Sequence, residues 1–196
     1  MGILWLVIGI LGGTFDPPHI AHLAMAQAAY DQLGLDEIVF MPAGDPWQKS
    51  GYLVTPAIHR LAMTRLAASA APYFVADDRE VTRSGPTYTI DTVEELGEDC
   101  VLLLGADALG GVRSWERADE LIDLVSFAVV DRPGVARDDV DEGVLAKCTW
   151  IEMPRIDISS TEIRSHVATG HTARFLVPEA VSAYIETNGL YTAGSS

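Results

Sequence analysis

The sequence predicts a single α/β domain, doubly wound around a parallel sheet of about six strands. Three observations carry this. Short apolar runs alternate with helical patterns along the whole chain, the order that covers both faces of a parallel sheet. The first run is broken by Gly12-Gly13 and followed directly by a helix, a strand-turn-helix unit. At 196 residues, 48% hydrophobic and 21% charged, the chain suits one globular domain with a full core, spanning 1–196 with a short loose tail about 192–196.

Residues 2–11 are apolar but shorter than the ~20 residues that span a bilayer. They lack a basic start and a small-residue cleavage site, so they read as the first strand rather than a leader. A helix is expected over 17–33, with Asp16 as its cap, Pro17 in its first position and Gly34 at its close. EIVFMPA (37–43) is the second strand, and 42–54 is a loop rich in turn formers. Thr55-Pro56 opens a helix to about Ala70, with Arg60 on its surface or in a buried ion pair. YFVAD (73–77) is the third strand. CVLLLG (100–105), SFAVVD (126–131) and TWIEM (149–153) are three more, with helices near 88–97, 115–124 and 138–147 between them. A last helix begins in ISSTEIR (158–164), where Ser159 and Glu162 form a capping box.

A glycine turn between a buried strand and a helix N-terminus is built for phosphate. Backbone N–H groups approach the anion closely, and the helix dipole adds about half a positive charge. His19 and His22, three apart, share one face at that positive end. Two other readings stay open: an ordinary first helix with surface histidines, or a metal site on Asp16, His19 and His22. The glycines fit neither a Walker loop nor the dinucleotide fingerprint, and the histidines lack the four-residue spacing of the zinc helix motif. No Lys or Arg precedes Lys49, so backbone dipoles and histidines must hold an anion at this turn. In a two-halved sheet the first and fourth strands meet where strand order reverses, and ligands sit outside the strand ends there. The Gly12-Gly13 turn should therefore face GADAL (105–109) across a crevice. ISSTEIR offers a second anion clamp: free N–H groups, the hydroxyls of Ser159, Ser160 and Thr161, and the guanidinium of Arg164.

The net charge of −15 argues against coating DNA or RNA, which wants a basic face, but leaves room for a nucleotide in a local field of opposite sign. Cys100 and Cys148 are too few and too far apart for a zinc or redox motif and read as two buried thiols in a reducing cytosol.

GGTFDPPHIAH closely resembles the signature of the nucleotidylyltransferases, GGTFDP followed by His-x-Gly-His, and ISSTxxR resembles their second signature. The resemblance implies a Rossmann-like fold that binds ATP phosphates through Gly12, Gly13, Thr14, Phe15, Ser159, Ser160 and Thr161. It makes His19, His22 and Arg164 catalytic, together with Lys49, the loop lysine of PWQKSGYLVTPAIHR that reaches the triphosphate. SGPTYTIDT (84–92), GADAL followed by Ser114-Trp115, and VVDRPG (129–134) are similar to the branch that adenylylates nicotinate mononucleotide. That branch implies Thr87, Asp107, Trp115 and Arg132 as pyridine-nucleotide contacts. Physically, a flat electron-poor ring wants an aromatic face, and a carboxylate wants donors.

The implied substrates are small molecules, ATP and nicotinate mononucleotide, with Mg²⁺ carried on the ATP phosphates with few protein ligands and no metal-ligating residue assigned. No nucleic acid polymer or membrane partner is implied; the setting is cytoplasmic, and a homo-oligomer is left open. One departure stands out: Ala21 replaces the family glycine, and its methyl group should crowd the adenine. The rival readings are nicotinamide mononucleotide or phosphopantetheine as acceptor, or a non-catalytic nucleotide sensor.

Overall fold

The computed structural model describes residues 6–45, 54–97, 99–130 and 140–193. Lys49 and Arg132 lie outside them. The sheet is assembled from β1 (Ile8–Gly13), β2 (Glu37–Pro42), β3 (Phe74–Ala76), β4 (Cys100–Gly105), β5 (Ser126–Val130) and β6 (Cys148–Ile151). Its order is β3-β2-β1-β4-β5-β6 with every pair parallel, so the expected α/β class and six strands are found. Ile10 lies between Val39 on one side and Leu102 on the other, which puts the reversal of strand order between β1 and β4.

The helices are α1 (Ile20–Leu33), α2 (Ala57–Ala68), α3 (Arg79–Thr82), α4 (Thr89–Leu96), α5 (Ala106–Leu109), α6 (Ala118–Leu124), α7 (Glu142–Leu145), α8 (Ser160–Ala168) and α9 (Glu179–Thr187). One buried cluster runs from Ile10 and Leu102 to Val93, Leu121 and Phe127. A second runs from Leu11 and Phe40 to Met25, Ala29 and Leu103, so alternate residues of the same strands feed separate cores. A third, with Met63, Ala67, Ile163, Val181 and Ile185, joins α2, α8 and α9. That packing holds α8 within reach of the turn after β1.

Several boundaries differ from the sequence reading. The first helix begins at Ile20, not at residue 17, and His19 rather than Asp16 is its cap. Pro17 precedes Pro18, and a residue before proline is driven out of helical backbone. The Asp16 carboxylate is engaged instead by Thr55 N–H and the Tyr191 hydroxyl, at 3.2 and 2.8 Å. Gly34 does close α1, in left-handed backbone at φ 63° that suits glycine.

The 115–124 helix is really a 3-10 turn (Val112–Ser114), then Trp115 to Arg117, then α6. Arg117 takes φ 50° there while paired to Glu94 and Glu120. The helix near 138–147 shrinks to α7, capped by Asp141 on the N–H groups of Gly143 and Val144. α3 and α9 were not foreseen. Arg60, read as lying on the helix surface or in a buried ion pair, is buried at 1% exposure and bound to backbone carbonyls. Cys100 and Cys148 are free thiols, whose pKa values burial pushes up. Among the described residues no helix is long and apolar enough to cross a membrane.

Candidate active site

At the carboxyl ends of β1 and β4 a cavity of about 240 Å³ opens in the sheet. Gly12, Gly13 and Thr14 form one wall, Leu104 and Ala108 another, and Thr87 and Trp115 close it. The crevice expected between the glycine turn and GADAL is therefore present, and the sequence-predicted residues Gly12, Gly13, Thr14, Thr87 and Trp115 meet in one space. The position that a Gly12 Cβ would occupy is open, with no heavy atom within 4 Å, so ligand can come up to the backbone there.

Beyond the turn the chain folds back on itself. Phe15 takes φ 50° and buries its ring against Phe40, with the His22 ring edge-on to it at 5.0 Å. His19 and His22 stack face to face, centroids 3.7 Å apart. The His19 backbone N–H donates to His22 Nδ1 at 3.1 Å, which needs a lone pair on that nitrogen and so puts the proton of neutral His22 on Nε2. The two imidazoles are thus fixed as a pair at the start of α1.

The second signature docks on the first. Arg164 Nη1 donates to the Asp16 carbonyl at 2.7 Å, and Ser160 Oγ donates to the Pro17 carbonyl at 2.9 Å. Two helix beginnings, far apart in sequence, therefore share one loop. Their side chains are less idle than the sequence suggested. Ser159 Oγ serves the predicted capping box, donating to Glu162 Oε2 at 2.7 Å and accepting from Glu162 N–H at 3.2 Å. Thr161 Oγ1 accepts from Arg164 Nη2 at 3.3 Å. Asp107 lies exposed in α5 beside Ala108, off the cavity wall.

Two residues of this region escaped the sequence reading. Glu80 lines the cavity, where its carboxylate accepts the Thr92 hydroxyl at 2.8 Å. Burial pushes its pKa up, against the opposing pull of Thr92, Arg83 and Thr87. Its run, ADDRE, looks like a solvated acidic stretch. Arg60 lies beneath the turn, and its signal was its spacing: it shares a helical face with the buried Thr64 and Ala67.

The cytidylyltransferase-like family profile matches residues 10–166, and whole-length relatives agree with it. A probable nicotinate-nucleotide adenylyltransferase of Dehalococcoides mccartyi is 42% identical, the match covering 95% of this chain and 97% of that one. Another, from a Roseiflexus species, is 43% identical over 94% and 97%. The chain belongs to the cytidylyltransferase-like family.

Within this family it stands with the nicotinate-nucleotide adenylyltransferases. The fold agrees: the Plasmodium falciparum nicotinic acid mononucleotide adenylyltransferase solved with NaAD superposes with a TM-score of 0.75 at 23% identity. That match covers 94% of this chain and 96% of the other. The same enzyme complexed with APC gives a TM-score of 0.74 at 22% identity.

Proposed function

We propose that this cytidylyltransferase-like domain transfers the adenylyl group of ATP to nicotinate mononucleotide, releasing pyrophosphate and nicotinate adenine dinucleotide. The observation that carries the reading is the meeting of the Gly12-Gly13-Thr14 turn with Thr87 and Trp115 around one cavity at the switch point. The naming of relatives over 40% identical as nicotinate-nucleotide adenylyltransferases points to the same acceptor.

An ionised oxygen of the acceptor's 5′-phosphate attacks the α-phosphorus of ATP. A new P–O bond forms there as the bond from α-phosphorus to the bridging oxygen breaks, and pyrophosphate leaves with that electron pair. The nucleophile is already an anion, so no general base and no covalent enzyme intermediate is needed. Catalysis then rests on alignment and on stabilising charge on the phosphates. Aligning two bound nucleotides can supply about 7–11 kcal/mol.

His19 and His22 serve the triphosphate, with His22 nearest the α-phosphate. Lys49, Arg164, Ser159, Ser160, Thr161 and the amides from Gly12 to Phe15 serve the surrounding phosphates. Thr87, Trp115 and Arg132 serve the pyridine nucleotide, with Trp115 offering its ring face; Asp107, off the cavity wall, is left out of this role. The substrate is Mg–ATP, since Mg²⁺ loses its water reluctantly and rides on phosphate oxygens with few protein ligands. One domain in the cytoplasm suffices for this chemistry.

The test supplies Mg–ATP with nicotinate mononucleotide, nicotinamide mononucleotide or phosphopantetheine, and follows pyrophosphate and the adenylylated product. Turnover with nicotinate mononucleotide should exceed that with the other two. Preference for another acceptor would reassign the substrate. ATP binding without turnover on any of them would make the protein a nucleotide sensor.

A further inference from the structure

Beneath the phosphate turn sits a guanidinium whose partners are all backbone carbonyls. Arg60, 1% exposed, donates from Nη1 to the Thr14 carbonyl at 2.9 Å and to the Ala43 carbonyl at 2.6 Å. Its Nη2 donates to the Gly44 carbonyl at 2.8 Å, and its Nε to the Thr55 carbonyl at 2.9 Å. One planar fork thus ties the turn after β1, the end of β2 and the approach to α2. Gly44 is itself pressed against α3, where a Cβ would fall 2.0 Å from the Glu80 carbonyl. The charge is sustained from nearby by Asp16, whose carboxylate opposes the downward pull of burial on the guanidinium.

The consequence lies in the peptide joining Thr14 to Phe15. A trans peptide points its C=O and its N–H in opposite directions. With the Thr14 carbonyl captured below by Arg60, the Phe15 N–H must point away from it, and among the described residues that amide has no acceptor. Phe15 holds φ 50°, a backbone that non-glycine residues rarely adopt, so the plane is not one the chain would choose unaided.

We propose that Arg60 is a positioning residue for the transfer. By holding the Thr14 carbonyl inward it presents the Phe15 amide to the polyphosphate, without touching substrate itself. This rests on the reading of the β1 turn as a phosphate site, and not on which nucleotide accepts the adenylyl group.

The probe is inorganic tripolyphosphate, which needs no turnover and no acceptor. Arg60→Lys keeps the charge but lacks the planar fork that satisfies four carbonyls. Titration calorimetry should show the folded Lys variant binding tripolyphosphate at least tenfold more weakly than wild type. A role confined to stability would lower Tm and leave that affinity intact, so wild-type affinity in a folded Arg60→Lys protein overturns the proposal. Where the variant fails to fold, the wild-type protein decides. In ¹⁵N-labelled enzyme the Phe15 amide resonance should move on tripolyphosphate addition, and an unmoved Phe15 amide beside moving neighbours overturns it. Adenylyl transfer is assayed separately. An enzyme that binds tripolyphosphate through Phe15 but transfers nothing to nicotinate mononucleotide would sink the proposed function and leave Arg60's role standing.

Discussion

Removing one oxygen with Tyr191→Phe tests how the C-terminal end of the chain is pinned under the phosphate turn. Tyr191 Oη donates to Asp16 Oδ1 at 2.8 Å, and Asp16 is only 2% exposed. A hydrogen bond to a charged group contributes about 1.5–3 kcal/mol, and a buried acceptor left without its donor pushes the loss to the upper part, about 2–3 kcal/mol. For a domain of this size each kcal/mol moves Tm by about 2–4 °C, so Tm should fall by about 4–12 °C at pH 7.

The same bond has a pH signature. Burial, then the Asp16 charge and its bond, raise the Tyr191 pKa in the folded state above the unfolded value of about 10. A raised native pKa means the stabilisation is whole below pH ~10 and is lost as pH climbs beyond it, by about 1.4 kcal/mol per unit. Thermal unfolding followed by circular dichroism at pH 7 and pH 11 gives both readings. A Tm within 1 °C of wild type at pH 7, or a gap that stays undiminished at pH 11, would refute the reasoning (each threshold about a quarter or less of the predicted effect).

Three other outcomes are expected. His22→Ala should lower kcat by about 10²–10³-fold in a pyrophosphate-release assay, as removing one preorganised donor does elsewhere; unchanged turnover would take His22 out of the mechanism. Ala21→Gly should lower the KM for ATP roughly fivefold, a relief of about 1 kcal/mol of crowding, while costing about 0.5–1 kcal/mol of helix stability; an unchanged KM would mean that the methyl group does not meet the base. Glu80→Gln should stabilise the substrate-free protein at neutral pH. Burial raises the Glu80 pKa, so the native state favours the protonated acid, and wild type loses stability as pH rises from the unfolded value of about 4.3 through the higher native one. Unfolding at pH 4 and pH 7 should show the variant's advantage only at the higher pH.

The parallel sheet and the meeting of β1 with β4 at the reversal of strand order were legible because both follow from local signals that agree. Apolar runs mark the strands, and Gly12-Gly13 before a helix marks the switch point that β1 and β4 then form. The start of α1 was misread because Asp16-Pro17 looks like a cap and a first turn. Pro18 forbids that, and a partner 175 residues away, Tyr191, takes the carboxylate. Arg60 and Glu80 were hidden for a related reason. Charged side chains default to solvent in a sequence, and only the fold reveals backbone carbonyls converging on one and a cavity desolvating the other. The docking of Arg164 on Asp16 is likewise a contact across 148 residues that no spacing rule contains, although the capping box beside it was readable three residues at a time.

The central claim is that two helix beginnings hold one polyphosphate while a second nucleotide attacks it. A crystal structure with a non-hydrolysable ATP analogue and nicotinate mononucleotide tests this most directly. The predicted result has the Phe15 amide, the His22 ring and Arg164 within hydrogen-bonding distance of the same triphosphate, and the acceptor's phosphate opposite the α-phosphorus with its pyridine against Trp115. A triphosphate bound away from the Gly12-Gly13 turn, with α8 making no contact to it, would contradict the account.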